Sequence, residues 1–107
     1  MPVFIMLTRL SSEAVRSPKS LEELERQAMQ RIDRECPEVK WWGSYAVLGP
    51  CDYLDIFEAP DVETATKVST LIPHLWAPQT EIWAATEWAR FKDLVRGLGG
   101  TEATDAG

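Results

Sequence analysis

Residues 48–61 read Leu-Gly-Pro-Cys-Asp-Tyr-Leu-Asp-Ile-Phe-Glu-Ala-Pro-Asp, and this stretch decides the fold. A turn signal, Gly49-Pro50, precedes a short strand, and a helix-start signal, Pro60-Asp61, follows directly after it. The strand is apolar at odd and even positions alike, a pattern typical of a strand with protein packed against both faces. A chain of 107 residues has too little protein to cover both faces of a sheet well. We therefore expect a second copy of the same chain to cover one of them.

The remaining segments predict an alternation of strands and helices. The predicted strands cover residues 3–9, 39–48, 52–58 and 77–85, and the predicted helices follow residues 20, 61 and 86. The order β-α-β-β-α-β with an extra C-terminal helix is the ferredoxin-like arrangement of the α+β class. It predicts a four-stranded antiparallel sheet with the first and third strands at its centre and two helices on one face.

The open face of this predicted sheet sets the expectation for partners. If Leu54 and Ile56 face the helices, then Tyr53, Asp55 and Phe57 lie on the helix-free face, where they form an apolar patch. Two sheets packed face to face bury such a patch, so we expect a homodimer or a higher homo-oligomer.

Composition restricts the classes of function. The 11 basic and 17 acidic residues give a net charge of −6 without any basic cluster, which argues against nucleic acid and anionic membranes as partners. No apolar run approaches the roughly 18 residues of a spanning helix. The N-terminus lacks the basic region of an export signal, so we expect a cytoplasmic protein. GxGxxG and P-loop motifs are absent, so nucleotide cofactors are not supported, and no cofactor is assigned to the chain.

Three small features of the chain carry local predictions. Gly43 lies within the second predicted strand and indicates a bulge or a close backbone approach. The two cysteines are expected to stay reduced. Cys36 closes a helix and is expected to be a buried structural thiol, whereas Cys51 lies in a turn and is expected to be more exposed.

The stretch around this turn resembles the signature of a known family. Gly49 and Asp52 stand at matching positions of the GYD domain signature, and Thr80-Glu81 resembles a second recurring feature of that family. The sequence departs from the pattern at the family's usual tyrosine, because Cys51 stands there. A role carried by that phenol is therefore not transferred to this chain.

The resemblance extends over residues 3–94 and implies more about architecture than about chemistry. It implies a ferredoxin-like protomer that pairs sheet to sheet as a dimeric α/β barrel, and it implies no settled biochemical activity. We expect residues 1–98 to form a single GYD-like domain and residues 99–107 to be a disordered C-terminal tail.

Two residues are candidates for proton transfer. Asp55 interrupts an apolar strand, and a buried carboxylate needs a hydrogen-bond or charge partner, such as a salt bridge across a subunit boundary, or a raised pKa. His74 is the only histidine and follows Pro73. It either interacts with a helix dipole or acts as a general base, a haem ligand or one metal ligand. One histidine without zinc-like spacing predicts no metal site within a protomer.

Five further residues are candidates for holding a small molecule between sheets: Tyr45, Asp52, Tyr53, Glu81 and Trp83. Glu81 and Trp83 share a parity on the fourth strand and line an aromatic-walled pocket if they face inward. Facing outward, Glu81 is a solvated edge charge. Trp41 and Tyr45 share a parity on the second strand and are candidates for the opposite wall. Asp52 either fixes the turn by accepting backbone N–H groups or faces a ligand.

The sequence leaves three functions open. The first is a homo-oligomeric protein that binds or senses a small molecule in a cavity between sheets. The second is a small cofactor-free enzyme, an oxygenase, isomerase or decarboxylase, with Asp55 or His74 as the base and Trp83, Trp41 and Tyr45 holding a ring. The third is a haem or metal binder through His74, with Cys51 as a soft ligand.

Overall fold

The computed structural model describes residues 1–12, 18–72 and 79–102, which are called the described residues below. The strands are β1 (Val3–Arg9), β2 (Lys40–Ala46), β3 (Tyr53–Glu58) and β4 (Gln79–Ala85). The helices are α1 (Pro18–Glu35), α2 (Val62–Thr70) and α3 (Trp88–Glu102), so the order is β1-α1-β2-β3-α2-β4-α3. The four strands form one antiparallel sheet in the order β2-β3-β1-β4. This confirms the predicted ferredoxin-like arrangement with an extra C-terminal helix.

The core lies between the sheet and the first two helices. Phe57 of β3 is 0% exposed, and its ring stacks on Phe4 and on Trp41 with centroids 5.8 and 5.2 Å apart. Side chains from the two helices and the segments that follow them complete this core: Ala28, Ile32, Cys36, Ala65, Val68 and Ile72. Burial of these apolar groups is the main free energy that holds the helices on the sheet.

The prediction of which β3 side chains face the helices is wrong. Tyr53, Asp55 and Phe57 lie on the helix side, and Leu54 and Ile56 lie on the opposite face. Both parities of β3 are apolar, so the sequence contains no alternation that distinguishes them. Asp55 is tolerated on the buried side because a partner on β2 binds its carboxylate, as described below.

A bulge in β2 confirms the prediction made from Gly43. Trp41 pairs with Phe57 but Gly43 pairs with Ile56, so one extra residue enters β2 at this point. The bulge reverses the alternation of β2 from there on. Trp41 therefore packs on the helix side while Tyr45 falls on the other face, and the prediction that they share a face is wrong.

Helix α2 begins where the sequence predicts it. The Asp61 carboxylate accepts a hydrogen bond from the Thr64 backbone N–H at 2.8 Å and from the Thr64 hydroxyl at 2.7 Å. A side chain of this type satisfies an N–H group that the first helical turn leaves without a partner.

Helix α3 continues to Glu102 and contains Gly97, Gly99 and Gly100. Its described apolar side chains are all exposed: Trp88, Phe91, Leu94, Val95 and Leu98. The prediction of a tail over residues 99–107 stays a prediction, and residues 103–107 lie outside the described residues. No helix among the described residues combines the length and the apolar character needed to cross a membrane.

Candidate functional site

The face of the sheet opposite α1 and α2 carries exposed apolar side chains. Residues opposite each other in the register share a face, and this open sheet face consists of Val3, Ile5, Leu7, Arg9, Lys40, Gly43, Tyr45, Leu54, Ile56, Glu58, Gln79, Glu81, Trp83 and Ala85. Trp42 joins it, since its indole N–H donates to Glu58 Oε2 at 2.7 Å. Trp42, Tyr45 and Trp83 are 50%, 58% and 52% exposed. No described segment of the chain covers these rings.

A small hollow lies at one end of the open sheet face. Its volume is about 50 Å³, and its lining residues are Leu7, Arg9, Pro50, Cys51, Gln79, Thr80, Glu81 and Trp83. The Trp83 indole N–H donates to Glu81 Oε1 at 3.3 Å, which holds the ring and the carboxylate together. The expectation of an exposed Cys51 is wrong, because the turn folds over the sheet and leaves this residue 7% exposed.

The hollow confirms one part of the predicted pocket, since Glu81 and Trp83 both line it. Arg9 and Cys51 also line it, although the sequence did not assign them to a pocket. The register places Arg9 opposite Gln79 and Leu7 opposite Glu81. Pairing the first and last predicted strands would have found the arginine, since alternate residues of adjacent strands share a face.

A second and larger depression, the helix-side cleft, lies on the other side of the sheet. It has a volume of about 290 Å³ between the first half of α1 and the ends of β2 and β3. Its lining residues are Leu10, Leu21, Glu22, Glu25, Ser44, Tyr45, Ala46, Asp52 and Tyr53. Tyr45 borders it from the edge strand.

Asp55 is hydrogen-bonded to Ser44, which lines this cleft, and is 3% exposed. The Trp41 indole N–H donates to Ser44 Oγ at 3.1 Å, and the Ser44 hydroxyl donates to Asp55 Oδ1. Burial raises the pKa of Asp55 from 3.8 to about 6; the Ser44 hydrogen bond lowers it and the Glu25 charge raises it further. The net result is a carboxyl group that changes charge close to neutral pH.

Tyr53 and Asp52 occupy the rim of the cleft. Burial raises the pKa of Tyr53, the Asp55 charge raises it further and the Thr8 hydroxyl lowers it, so the phenol stays protonated at neutral pH. The Asp52 carboxylate accepts the backbone N–H of Leu10 at 2.7 Å. This bond ties the turn before β3 to the end of β1, across 42 positions of sequence.

The candidate site residues are therefore divided between two faces of the sheet. Glu81 and Trp83 lie on the open sheet face, while Asp55 and Tyr53 lie on the helix side. Asp55 thus lies on the face opposite Trp83 and Tyr45, two of the three rings that the enzyme hypothesis placed around a substrate, and shares its face only with the third, Trp41. His74 lies outside the described residues, and its role as base or ligand stays a prediction. Within the described ranges, no three His, Cys, Asp or Glu side chains are grouped to hold a metal ion.

A four-stranded antiparallel sheet with helices on one face and an apolar opposite face defines a ferredoxin-like α+β domain. Within this class, the chain belongs to the GYD domain family, whose model matches residues 4–95. The resemblance stated from the sequence is thus confirmed. Among curated proteins, none matches the chain.

Three solved structures share the fold. TTHA0845 from Thermus thermophilus is 24% identical with a TM-score of 0.55, covering 81% of this chain and 95% of its own. FFRP-DM1 is 19% identical with a TM-score of 0.50, covering 80% of this chain and 100% of its own. The transcriptional regulator NMB0573 from Neisseria meningitidis, solved with L-Met, is 17% identical with a TM-score of 0.50. The match covers 81% of this chain and 51% of the regulator's chain. At these identities the likeness establishes the fold alone, and the exclusion of nucleic acid stays a prediction.

Proposed function

We propose that this chain forms a homo-oligomer through its open sheet face and binds a small molecule between the paired sheets. The observation that carries the proposal is the exposure of Trp42, Tyr45 and Trp83 around the aliphatic centre of that face. Soluble monomers rarely expose contiguous apolar patches of this kind. A second copy of the chain is a suitable partner, because in a two-fold symmetric dimer the same apolar face of each copy packs against that of the other.

The exposed helix α3 adds a second reason for assembly. Trp88 and Phe91 stack at a centroid distance of 5.2 Å, yet both rings remain largely in solvent within one protomer. This helix follows β4 along the chain, and association with a second copy would cover its apolar side chains as well.

The ligand proposed for the space between the sheets is a small zwitterion. Arg9 and Glu81 line the same hollow and offer a partner for a carboxylate and for an ammonium group. Leu7 and Trp83 supply apolar surface beside them. One protomer offers only about 50 Å³, so the site is incomplete until a second sheet closes over it. The solved complex of NMB0573 with L-Met supports an amino acid as a first probe.

Ile56→Asp should convert the oligomer into folded monomers. Ile56 lies on the open sheet face, where a carboxylate is solvated in a lone protomer but buried and unpaired between two sheets. Analytical ultracentrifugation at micromolar concentration measures the mass, and far-UV circular dichroism reports whether the fold is kept. Gln30→Asp on the exposed side of α1 is the matched control and should leave the mass unchanged. A folded Ile56→Asp oligomer, or a monomeric wild type, would overturn the proposed interface.

L-Methionine should bind the wild-type protein. The substitution Glu81→Gln should lower the affinity for L-methionine about tenfold, because the ammonium group loses one charged partner. Isothermal titration calorimetry compares L-methionine with its methyl ester and with N-acetyl-methionine, each of which lacks one charge. Glu63→Gln on α2 changes the net charge equally and should not alter the affinity. Equal binding of all three compounds, or no heat for any of them at about 10 mM, would contradict the zwitterion site.

A further inference from the structure

The helix-side cleft is not used by the function proposed above. It lies on the opposite side of the sheet from the hollow, it is larger, and helix α1 forms one of its walls. A chamber between two open sheet faces would share only Tyr45 with the described lining of the cleft.

The polar part of this cleft is negatively charged. Glu22, Glu25 and Asp52 line it, and no lysine or arginine is among its described lining residues. Neither Glu22 nor Glu25 forms an ion pair with any described residue, although Glu23 between them binds Arg26. Asp55 adds a fourth carboxyl group, hydrogen-bonded to Ser44 of the lining. A cation entering the cleft thus meets carboxylates that no described side chain of the protein neutralises.

The remainder of the cleft is apolar and concave. Leu10 and Leu21 are half-buried and both line it, and the half-buried Tyr53 ring contributes a flat surface. Burial raises the pKa of Tyr53, so this ring stays a neutral phenol that contacts apolar groups and attracts a cation by its π face. Convergent polar groups beside apolar walls in a concavity of this size are typical of a site for a small organic molecule.

We propose that the helix-side cleft binds a small organic monocation, an ammonium group attached to an apolar body. The carboxylates of Glu22, Glu25 and Asp52 attract the ammonium group to the cleft, and the apolar body lies on Leu10, Leu21 and Tyr53. A bare metal ion fits less well, because no three acidic, cysteine or histidine side chains among the described residues converge closely enough to coordinate one. The ligand class is therefore set by charge at the rim and by apolar surface within.

Three compounds of one size and different charge test this inference. Phenethylamine is a cation at pH 7.5, whereas 2-phenylethanol is neutral and phenylacetate is an anion. We expect phenethylamine to bind at least about tenfold more tightly than 2-phenylethanol, with no measurable binding of phenylacetate. Titrations followed by backbone amide NMR locate the site, since the largest shifts should fall at Leu21, Glu25 and Tyr53.

Paired variants distinguish this site from general attraction to an acidic protein. Glu25→Gln should lower the affinity for phenethylamine about fivefold and leave the affinity for 2-phenylethanol unchanged. Glu63→Gln removes the same charge from an exposed position on α2 and should have no effect. Trp83→Ala should keep phenethylamine binding, since that ring lies on the open sheet face, so the two proposed sites fail independently. Equal affinity for the amine and the alcohol, an equal loss in Glu63→Gln, or no binding at about 10 mM would overturn the inference.

Discussion

Phe57→Ala should lower the free energy of unfolding by about 3–5 kcal/mol, the range found when a large aromatic side chain is removed from a packed core. Phe57 is 0% exposed, and its ring lies between Phe4 and Trp41 at centroid distances of 5.8 and 5.2 Å. Removal of the ring leaves a cavity that the sheet cannot close, because β3 is held on both sides by its neighbours. Urea denaturation followed by circular dichroism measures the change.

Phe91→Ala is the matched control for this substitution. The same side chain is removed, but Phe91 lies on α3 and is 45% exposed, so the loss should stay below about 1 kcal/mol. Both variants are compared with wild type at a concentration at which the protein is monomeric, because association of copies through α3 would bury Phe91 and shift the apparent stability. A loss at Phe57 no larger than that at Phe91 would contradict the position of the ring in the core. Phe57→Asp should unfold the protein, because the new carboxylate would be buried in this core without a partner.

The order of the elements could be predicted from the sequence because each boundary has its own chemical signal. Gly49-Pro50 marks the turn before β3, and the Asp61 carboxylate caps α2. The apolar character of β1 and β3 on both parities matches their central positions in the sheet. Local pattern and topology agree at these points, which is the condition under which sequence-based inference of a fold succeeds.

The facing of the strands could not be predicted from the same residues. Leu54 and Ile56 are as apolar as Tyr53 and Phe57, so hydrophobicity does not say which pair meets the helices. Asp55 favours the wrong answer, because a carboxylate is expected away from the core. Its hydrogen bond from Ser44 depends on the register of β2, and the bulge at Gly43 changes that register.

The same limit applies to the candidate site. Glu81 and Trp83 are two residues apart on one strand, so their proximity follows from the strand period alone. Arg9 joins them only through the pairing of β1 with β4, which lies about 70 positions away in the chain. Residues that share an element are found from the sequence, and residues that share a surface through pairing require the register.

Asp55→Asn should stabilise the folded protein near neutral pH and remove part of its pH dependence. Burial raises the pKa of Asp55 to about 6 in the folded state, against 3.8 for an unperturbed carboxyl group. Between these two values the folded protein binds more protons than the unfolded chain, so its stability falls as the pH rises from about 4 to about 6. Above about pH 6 the loss of stability is complete, and it lowers the free energy of unfolding by about 3 kcal/mol. Asparagine carries no charge, and its side-chain oxygen still accepts the Ser44 hydroxyl.

Urea denaturation at a series of pH values measures the effect as a difference between two proteins. The stability of Asp55→Asn minus that of wild type should increase by up to about 3 kcal/mol from pH 4 to pH 7 and then stay constant. Taking the difference cancels groups of opposite sign, such as Asp61, whose pKa is lowered by its hydrogen bonds to Thr64. Asp93→Asn on the exposed helix α3 should show no comparable rise. A flat difference for Asp55→Asn would show that its carboxyl group ionises in the folded protein as an ordinary carboxyl group does, and that it is not buried as a weak acid.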